Sequence, residues 1–234
     1  MQEELNYQHK VSIKEWIFLI TLILIYSVVA FWKLGDRVAP ESYYQITNST
    51  NPAVFEVNEA PAFVNVYAPV NDSSKYIGIS IYGSVDGRTW TKVFDTDDDQ
   101  TDYTAAMIWY HYPLSTSSDM RYIKIDKHPM SNRLVLSEVA FQSTNGTFVQ
   151  AKATTKDTGV LLDEPETVCT NKTRMNSAYF DESYFPSSAL EMQDGLSVAE
   201  MDHPAVGRLI IGIGMSIWGR NPFGFRFMQV CFGI

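Results

Sequence analysis

The residues best suited to chemistry are the adjacent acidic side chains Asp181 and Glu182. His203 follows about one helix later, and Arg208 immediately precedes an apolar run that begins at Leu209. Carboxylates held against a bilayer are costly to desolvate, so an acidic pair that leads into an apolar helix needs a functional reason. Chemistry on a lipid-linked substrate is the reason that this pattern favours.

The composition argues against nucleic acid as a partner. The 234 residues include 18 Lys and Arg against 27 Asp and Glu, a net charge of −9. Phosphate backbones are bound by basic patches, and none is visible. Cys169 lies in a polar segment and Cys231 in an apolar one, so no disulfide framework is expected. The histidines are scattered, and we predict neither a metal site nor a cofactor.

An uncharged apolar run at residues 16–32 has a Trp at each end. A membrane span needs about 20 residues, and Trp is enriched at both membrane interfaces. We predict a cytoplasmic N-terminus at 1–15 and a transmembrane helix at 16–34. A cleaved signal peptide is the alternative; the run is longer than a usual signal core, and no small-residue cleavage site follows it.

A second apolar run, at residues 209–218, is followed by Arg220 and Arg226. If these arginines are cytoplasmic, residues from about 38 to 203 lie outside the cell. We therefore predict a second transmembrane helix at 204–219 and the start of a third span at 220–234. Because the chain stops inside an apolar stretch, we expect it to be the front piece of a longer integral protein of the cell membrane.

The middle of the chain, residues 51–152, has the pattern of an all-β domain that follows a linker at 35–50. Runs rich in Val, Ile, Tyr and Phe alternate with turn residues, which favours a sandwich or jelly roll. Asp86 and Gly87 indicate a tight hairpin, because Gly readily adopts positive φ. The predicted strands are 53–57, 62–68, 76–82, 89–94, 107–112, 121–126, 134–141 and 147–151.

Residues 82–93, Tyr-Gly-Ser-Val-Asp-Gly-Arg-Thr-Trp-Thr-Lys-Val, resemble the S-x-D-G-x-x-W hairpin of discoidin-type, galactose-binding-like domains. Residues 121–125 and 136–139 resemble late strands of that family. The resemblance implies a discoidin-like sandwich. The aromatic residues Trp109, Tyr110 and Tyr112 are either a sugar platform or, as is commoner for alternating aromatics, part of the core. The acidic loop 95–102 is either a calcium site or, in our preferred interpretation, a solvated turn.

The segment after the sandwich is similar to the protein O-mannosyltransferase family, membrane glycosyltransferases of the GT-C class. Residues 175–184 read Met-Asn-Ser-Ala-Tyr-Phe-Asp-Glu-Ser-Tyr, and residues 221–228 read Asn-Pro-Phe-Gly-Phe-Arg-Phe-Met. Further matches lie at 189–192, 195–196, 203–204 and 207–211. Family members often have His where Phe185 stands, and His-Pro-Pro-x-Gly-Lys where residues 203–208 read His-Pro-Ala-Val-Gly-Arg.

The expected fold class is thus a mixed membrane protein. A transmembrane helix and an extracytoplasmic sandwich precede a loop at 153–203 and the further transmembrane helices of a truncated GT-C fold. The loop carries the acidic pair and a helix at about 187–194, which Gly195 can terminate. We expect the polar residues 154–176 to be a connector that leads back to the membrane.

The mannosyltransferase resemblance implies a polyprenyl-phosphate sugar as donor, usually mannose, and a hydroxyl acceptor, typically protein Ser or Thr. Asp181 would be the general base, and Glu182 would position the acceptor or tune that base. Arg208 would bind the lipid phosphate or act as a plain interfacial anchor. His203 would contact substrate or cap a helix. The alternative for the acidic pair is an exposed turn without chemistry.

Two functions follow from these observations. The first is a membrane glycosyltransferase whose partners are the lipid-linked donor, a protein or glycan acceptor and membrane lipid. The alternative is a membrane-anchored, non-enzymatic surface protein that binds carbohydrate through its sandwich. The string of matches between residues 176 and 228 favours the glycosyltransferase, because carbohydrate binding by a sandwich does not require these motifs.

Overall fold

The computed structural model describes residues 11–48, 51–70, 77–96, 106–198 and 201–233. Helix α1, Ile13–Phe31, begins with a capping box in which the Ser12 hydroxyl accepts the Glu15 N–H and the Glu15 carboxylate accepts the Ser12 N–H. None of its residues is buried. Within the described ranges, α1 is the helix long and apolar enough to cross a membrane. The helix begins and ends about three residues earlier than the predicted span 16–34. Its start is set by the polar cap at Ser12, which a hydropathy pattern does not reveal.

The body of the protein is a β-sandwich of a four-stranded and a five-stranded antiparallel sheet, in the orders β10-β9-β3-β6 and β11-β2-β7-β4-β5. A third, two-stranded sheet pairs β1 with β8. The strands are β1 Tyr44–Ile46, β2 Ala53–Val57, β3 Phe63–Ala68, β4 Ile79–Ser84, β5 Thr91–Asp95, β6 Ile108–Pro113, β7 Tyr122–Lys127, β8 Leu134–Leu136, β9 Glu138–Gln142, β10 Phe148–Val149 and β11 Ala151–Ala153.

The sandwich core lies between the two large sheets. Phe55 and Ile123 of the five-stranded sheet and Val64 and Phe141 of the four-stranded sheet are buried there. The Phe55 and Phe141 rings meet edge-on, with centroids 5.4 Å apart. Because strand side chains alternate between faces, burying one face of each sheet sets the register of every strand.

The three aromatic residues of β6 fill cores, as the preferred interpretation of their alternation predicts. Tyr110 and Tyr112 face the sandwich core and stack with their ring centroids 5.6 Å apart. Trp109 points the other way, is buried, and packs against Tyr67 with ring centroids 5.5 Å apart. A sugar platform formed by these three side chains is therefore excluded.

Two predicted strands are each divided between sheets. The run 134–141 breaks at Ser137, whose N–H donates to the Tyr67 carbonyl, so β8 joins β1 whereas β9 joins β3. The run 147–151 breaks at Gln150, so β10 and β11 belong to different sheets. Strand β1 lies inside the predicted linker. The alternation of apolar residues continues through such corners, so it does not reveal them.

The predicted hairpin is confirmed between β4 and β5. Gly87 has φ +70°, and the Asp86 carboxylate accepts the N–H groups of Arg88 and Thr89, each at 2.8 Å. These hydrogen bonds to the charged form lower the pKa of Asp86 to about 2. Residues two and three positions away supply the contacts, which is why the sequence predicts this turn well.

The connector packs on the sandwich instead of leading straight back to the membrane. Its two 3₁₀ turns are Thr158–Leu161 and Pro165–Thr167, and the Leu161 side chain is fully buried in the sandwich core. The Glu164 carboxylate accepts the N–H groups of Glu41 and Ser42 at 3.0–3.2 Å. The residues before β1 are thereby tied to the connector.

Three helices follow, α2 Phe185–Gln193, α3 Ala205–Trp218 and α4 Pro222–Phe232. The predicted helix end is confirmed, because Gly195 has φ +66° and the Leu196 N–H donates to the Glu191 carbonyl at 2.8 Å. These helices pack against the outward face of the four-stranded sheet. This second core contains Tyr67 and Trp109 of the sheet, Leu190 of α2, Ile211 and Met215 of α3, and Phe225 of α4.

The predicted second span, 204–219, corresponds to helix α3, and its passage across a membrane stays a prediction. Helix α3 has 14 residues. At 1.5 Å per residue it extends about 21 Å, whereas the hydrocarbon core of a bilayer is about 30 Å thick. Helix α4, by contrast, runs back along α1, with Phe227 beside Phe31 at 5.5 Å between ring centroids. The helix that runs antiparallel to α1 is therefore α4, which begins at Pro222.

The ion pairs of Arg220 and Arg226 disagree with the prediction that these arginines lie on the opposite membrane side from residues 38–203. Arg220 forms a 2.5 Å ion pair with Asp194, and Arg226 forms one of 2.6 Å with Glu182. The Phe223 N–H donates to the Asp36 carbonyl at 3.1 Å, so α4 starts at the end of α1 where the sandwich segment begins. A count of basic residues after an apolar run cannot detect such ion pairs.

Candidate functional site

The acidic pair lies in a 3₁₀ turn, Phe180–Ser183, that directly precedes α2. The Glu182 carboxylate accepts the Tyr179 N–H at 3.0 Å, which closes the turn on itself. Phe180 has φ +54° and an exposed ring. Positive φ is uncommon for a residue with a bulky side chain and is found most often where a turn serves a site.

The two carboxylates of the pair have different surroundings. Glu182 accepts two hydrogen bonds from the Arg226 guanidinium, from Nε at 2.7 Å and from Nη2 at 2.6 Å. Asp181 is exposed, and within the described ranges its carboxylate has no hydrogen bond or ion pair. Glu182 is thus held in place, whereas Asp181 is available to a substrate.

Arg226 organises the site. Its remaining guanidinium donors reach the carbonyl oxygens of Leu34 at 2.9 Å, Arg174 at 2.7 Å and Ser177 at 2.9 Å. The side chain is 4% exposed. Its planar fork therefore joins the end of α1, the connector and the acidic turn, a task for which Lys has too few fixed donors. The sequence predicts only a marker of orientation at Arg226, although the residue belongs to the string at 221–228.

A tight turn between α3 and α4 brings Arg226 to the acidic turn. A Cβ atom on Gly224 would lie 2.1 Å from the Gly219 carbonyl oxygen, so no larger residue fits there. The Asn221 side chain caps α4 by accepting the Gly224 N–H at 2.9 Å, and Pro222 occupies the first turn. The Asn-Pro-Phe-Gly-Phe-Arg string thus encodes a cap, a helix start, a close approach and the arginine that follows it.

The structure brings His203 and Arg208 together at the start of α3. The Arg208 guanidinium donates from Nη2 to the His203 carbonyl at 2.6 Å and is buried. The His203 ring meets Phe185 edge-on, with centroids 5.1 Å apart. Arg208 therefore folds inward against the chain and does not extend to solvent as an interfacial anchor would.

A second acidic cluster, which sequence analysis missed, lies where the connector meets β9. Carboxylate oxygens of Glu138, Asp163 and Glu164 lie within 4.8 Å of one another. Burial raises the pKa of Glu138 to about 8. Oxygen donors of this kind suit Ca²⁺. Glu138 also lines an otherwise apolar cleft of about 250 Å³ between β9 and the connector. Its members are distant in sequence, so no local motif reveals the cluster.

The predicted calcium candidate, the loop 95–102, lies mostly outside the described residues. Asp95, the last residue of β5, is described and buried, while the solvated-turn interpretation of the rest of the loop stays a prediction. Its carboxylate pairs with the Lys92 ammonium at 2.5 Å and lies 3.4 Å from Nε2 of His128. Asp95 is therefore part of a buried polar cluster at the end of β5.

Comparison with known proteins identifies no family for the chain. No family model matches it, and no curated protein matches it. A similar solved structure is CBM32-1 from a family 31 glycoside hydrolase of Clostridium perfringens, with 19% identity over 48% of this chain and 84% of that domain. The TM-score of 0.33 is too low to support a conclusion about fold or function. Both family resemblances remain predictions.

Proposed function

We propose that this chain is the membrane-proximal part of a glycosyltransferase that moves a sugar from a polyprenyl phosphate to a hydroxyl acceptor. The observation that carries the proposal is that the two carboxylates of the acidic pair have different surroundings. Arg226 holds Glu182 and the carbonyl oxygen of Leu34 at the end of α1, while the neighbouring carboxylate of Asp181 is exposed. A rigidly supported, solvent-facing carboxylate beside an apolar helix suits a base that acts on a lipid-linked substrate.

In this mechanism Asp181 accepts the proton of the acceptor hydroxyl while the hydroxyl oxygen attacks the anomeric carbon. The bond between that carbon and the phosphate oxygen breaks, and the polyprenyl phosphate leaves with the bonding electrons as a stable anion. A base is needed because a hydroxyl is a weak nucleophile at neutral pH. No paired acid is needed, in contrast to the hydrolysis of a bond between two sugars. Glu182 positions Asp181 through the turn that they share.

We assign binding of the donor phosphate to Arg208. It is a buried cation at the start of α3, and its hydrogen bond to the His203 carbonyl fixes the plane of its guanidinium. Arg208→Lys keeps the charge but removes the planar fork. We expect the apparent KM for the donor to rise about tenfold or more. Unchanged donor affinity would contradict a bidentate clamp, and Lys14→Arg in the exposed first turn of α1 serves as the control.

The proposal is tested with the complete reading frame in membranes. Transfer from a polyprenyl-phosphate mannose to Ser/Thr peptides is measured, because the resemblance implies this donor and acceptor. Asp181→Asn should reduce the rate by about 10²–10⁴-fold, the usual contribution of a general base. Asp157→Asn is the matched control, since Asp157 is an exposed carboxylate on the connector. Equal rates for Asp181→Asn and wild type would remove Asp181 from the chemistry.

The second candidate function is glycan binding by the sandwich. Tyr82 and Lys124 alternate with buried isoleucines and so point outward from the five-stranded sheet. The Lys124 ammonium lies 4.4 Å from the Tyr82 ring centroid and 4.9 Å from that of Trp90. Partly exposed aromatic rings beside a polar group offer a sugar both stacking and hydrogen bonds.

Glycan binding is tested with the whole chain in detergent on a glycan array, followed by calorimetry on each glycan that binds. Trp90→Ala should weaken binding at least tenfold. Phe148→Ala is the control, because Phe148 is an exposed aromatic residue on the other sheet. Binding that survives Trp90→Ala would exclude this face. Glycan binding with no transfer by the complete reading frame would favour the non-enzymatic function.

A further inference from the structure

Helix α3 is packed on three of its sides. Ile211 and Met215 face the second core beneath the sandwich. On a second side, the Gln193 side chain of α2 donates to the Gly212 carbonyl and to the Ser216 hydroxyl, both at 2.7 Å. On a third side, Gly214 lies against the backbone of α4, where an added Cβ would come within 2.4 Å of the Gly224 carbonyl oxygen.

The fourth side of α3 is apolar and uncovered in the described structure. The α3 stripe consists of Val206, Leu209, Ile213 and Ile217, whose exposed fractions are 66%, 53%, 49% and 59%. Their spacing of three or four residues places them in one line along the helix. The stripe faces away from the sandwich, because Ile211 and Met215 on the opposite side face the second core. A contiguous apolar surface of this kind marks an interaction site.

Aromatic contacts through α4 link the end of α3 to the end of α1. The Trp218 ring at the end of α3 lies 5.2 Å from the Phe227 ring, and Phe227 lies 5.5 Å from Phe31 at the end of α1. Helix α3 thus ends near the end of α1, an apolar helix none of whose residues is buried. The Arg37 guanidinium lies 4.8 Å from the Trp218 ring centroid. Aromatic and basic side chains together are typical of a membrane interface.

We infer that α3 lies in the plane of the membrane interface, with the α3 stripe against the lipid acyl chains. The helix is too short to span, its uncovered side is apolar, and its end lies near the end of α1. An amphipathic helix in this position fixes the height of everything packed on its other face. It therefore holds the second core, and with it the acidic turn, at the headgroup level. The last step rests on the proposed function, because a polyprenyl phosphate presents its phosphate at that level.

The inference is tested by spin labelling of the whole chain in vesicles of phosphatidylcholine and phosphatidylglycerol. Leu209→Cys, Ile213→Cys and Ile217→Cys are labelled one at a time in a background that carries Cys169→Ser and Cys231→Ser. Power saturation with oxygen and with a water-soluble nickel chelate gives the depth of each label. We expect the Leu209 and Ile217 labels to differ in depth by less than about 5 Å, one helical turn, and to be accessible to oxygen.

Three results would overturn the inference. A depth that changes by about 12 Å between positions 209 and 217, at 1.5 Å per residue, would show a helix that spans. Low accessibility to both reagents would show that protein covers the stripe, either more of the same polypeptide or a second copy. High accessibility to the nickel chelate would show that the stripe faces water. A label at Thr89→Cys, on an exposed loop of the sandwich, gives the aqueous reference value.

A label at Ile20→Cys in α1 separates this inference from the proposed function. If the Ile20 label is deep in the bilayer and the labels on the α3 stripe are in water, α3 does not lie in the membrane interface. The membrane anchor that the proposed transferase needs would still be supported. If the Ile20 label has the aqueous value, the membrane placement that both share is wrong. The transfer assay on Asp181→Asn is independent of every depth measurement.

Discussion

The sandwich core and the second core are held together by different kinds of contact. Between the two sheets the contacts are apolar, as between Phe55 and Phe141. The core beneath the sandwich is bordered by two ion pairs with a buried arginine, Arg133 with Glu191 and Arg226 with Glu182. Apolar packing tolerates substitution of similar volume, whereas a buried arginine has one set of partners that satisfies it. The comparison indicates that the first core supplies stability and the second specifies position.

The largest effect should come from removing the arginine that joins the second core to the acidic turn. Arg226→Met leaves Glu182 and three carbonyl groups without their donor and should lower the free energy of unfolding by about 3–5 kcal/mol. Thermal unfolding of the whole chain in detergent measures this loss. Arg220→Met is the matched control, because the more exposed pair of Arg220 with Asp194 should contribute about 0–1 kcal/mol. Equal losses in the two variants would contradict the special role of Arg226.

A smaller effect should follow from widening the turn between α3 and α4. Gly224→Ala places a methyl group against the Gly219 carbonyl, and the backbone shift that this forces should destabilise the protein by about 1–3 kcal/mol. Gly207→Ala in α3 is the control, because its added methyl meets nothing within 4 Å and should stabilise the helix by up to about 1 kcal/mol. Chemical denaturation compares the two. A Gly224→Ala protein as stable as wild type would mean that this turn can widen without cost.

A pH-dependent effect concerns Glu138, which lies beside Asp163 and Glu164 where β9 meets the connector. Burial raises the pKa of Glu138 from 4.5 to about 8, so the folded protein retains a proton that the unfolded chain loses between these values. The contribution to stability is therefore complete below pH 4.5 and declines as the pH rises to about 8. Glu138→Gln should flatten this decline. The measurement is the unfolding midpoint from pH 4 to 9, with exposed Glu56→Gln as the control. A slope unchanged in Glu138→Gln would assign the decline to other groups.

Features that depend on near neighbours could be predicted from the sequence. The apolar run of α1, the Asp86–Gly87 turn and the helix end at Gly195 each rest on contacts within a few residues. The acidic pair could be named for the same reason, since its residues are adjacent and belong to a continuous string. Even so, adjacency did not show that Glu182 is held by an arginine while Asp181 is exposed.

The tertiary structure alone decided which distant residues meet. Arg226 lies 44 positions after Glu182, and its role becomes visible when the chain turns from α3 into α4 at a pair of glycines. The division of residues 134–141 between two sheets depends on the partners of each half, which alternation does not encode. Helix α3 has the apolar composition of a short span, and its packing on three sides leaves one apolar stripe exposed in the described structure. Local propensity acts over a few residues, whereas these arrangements depend on burial and pairing across the whole chain.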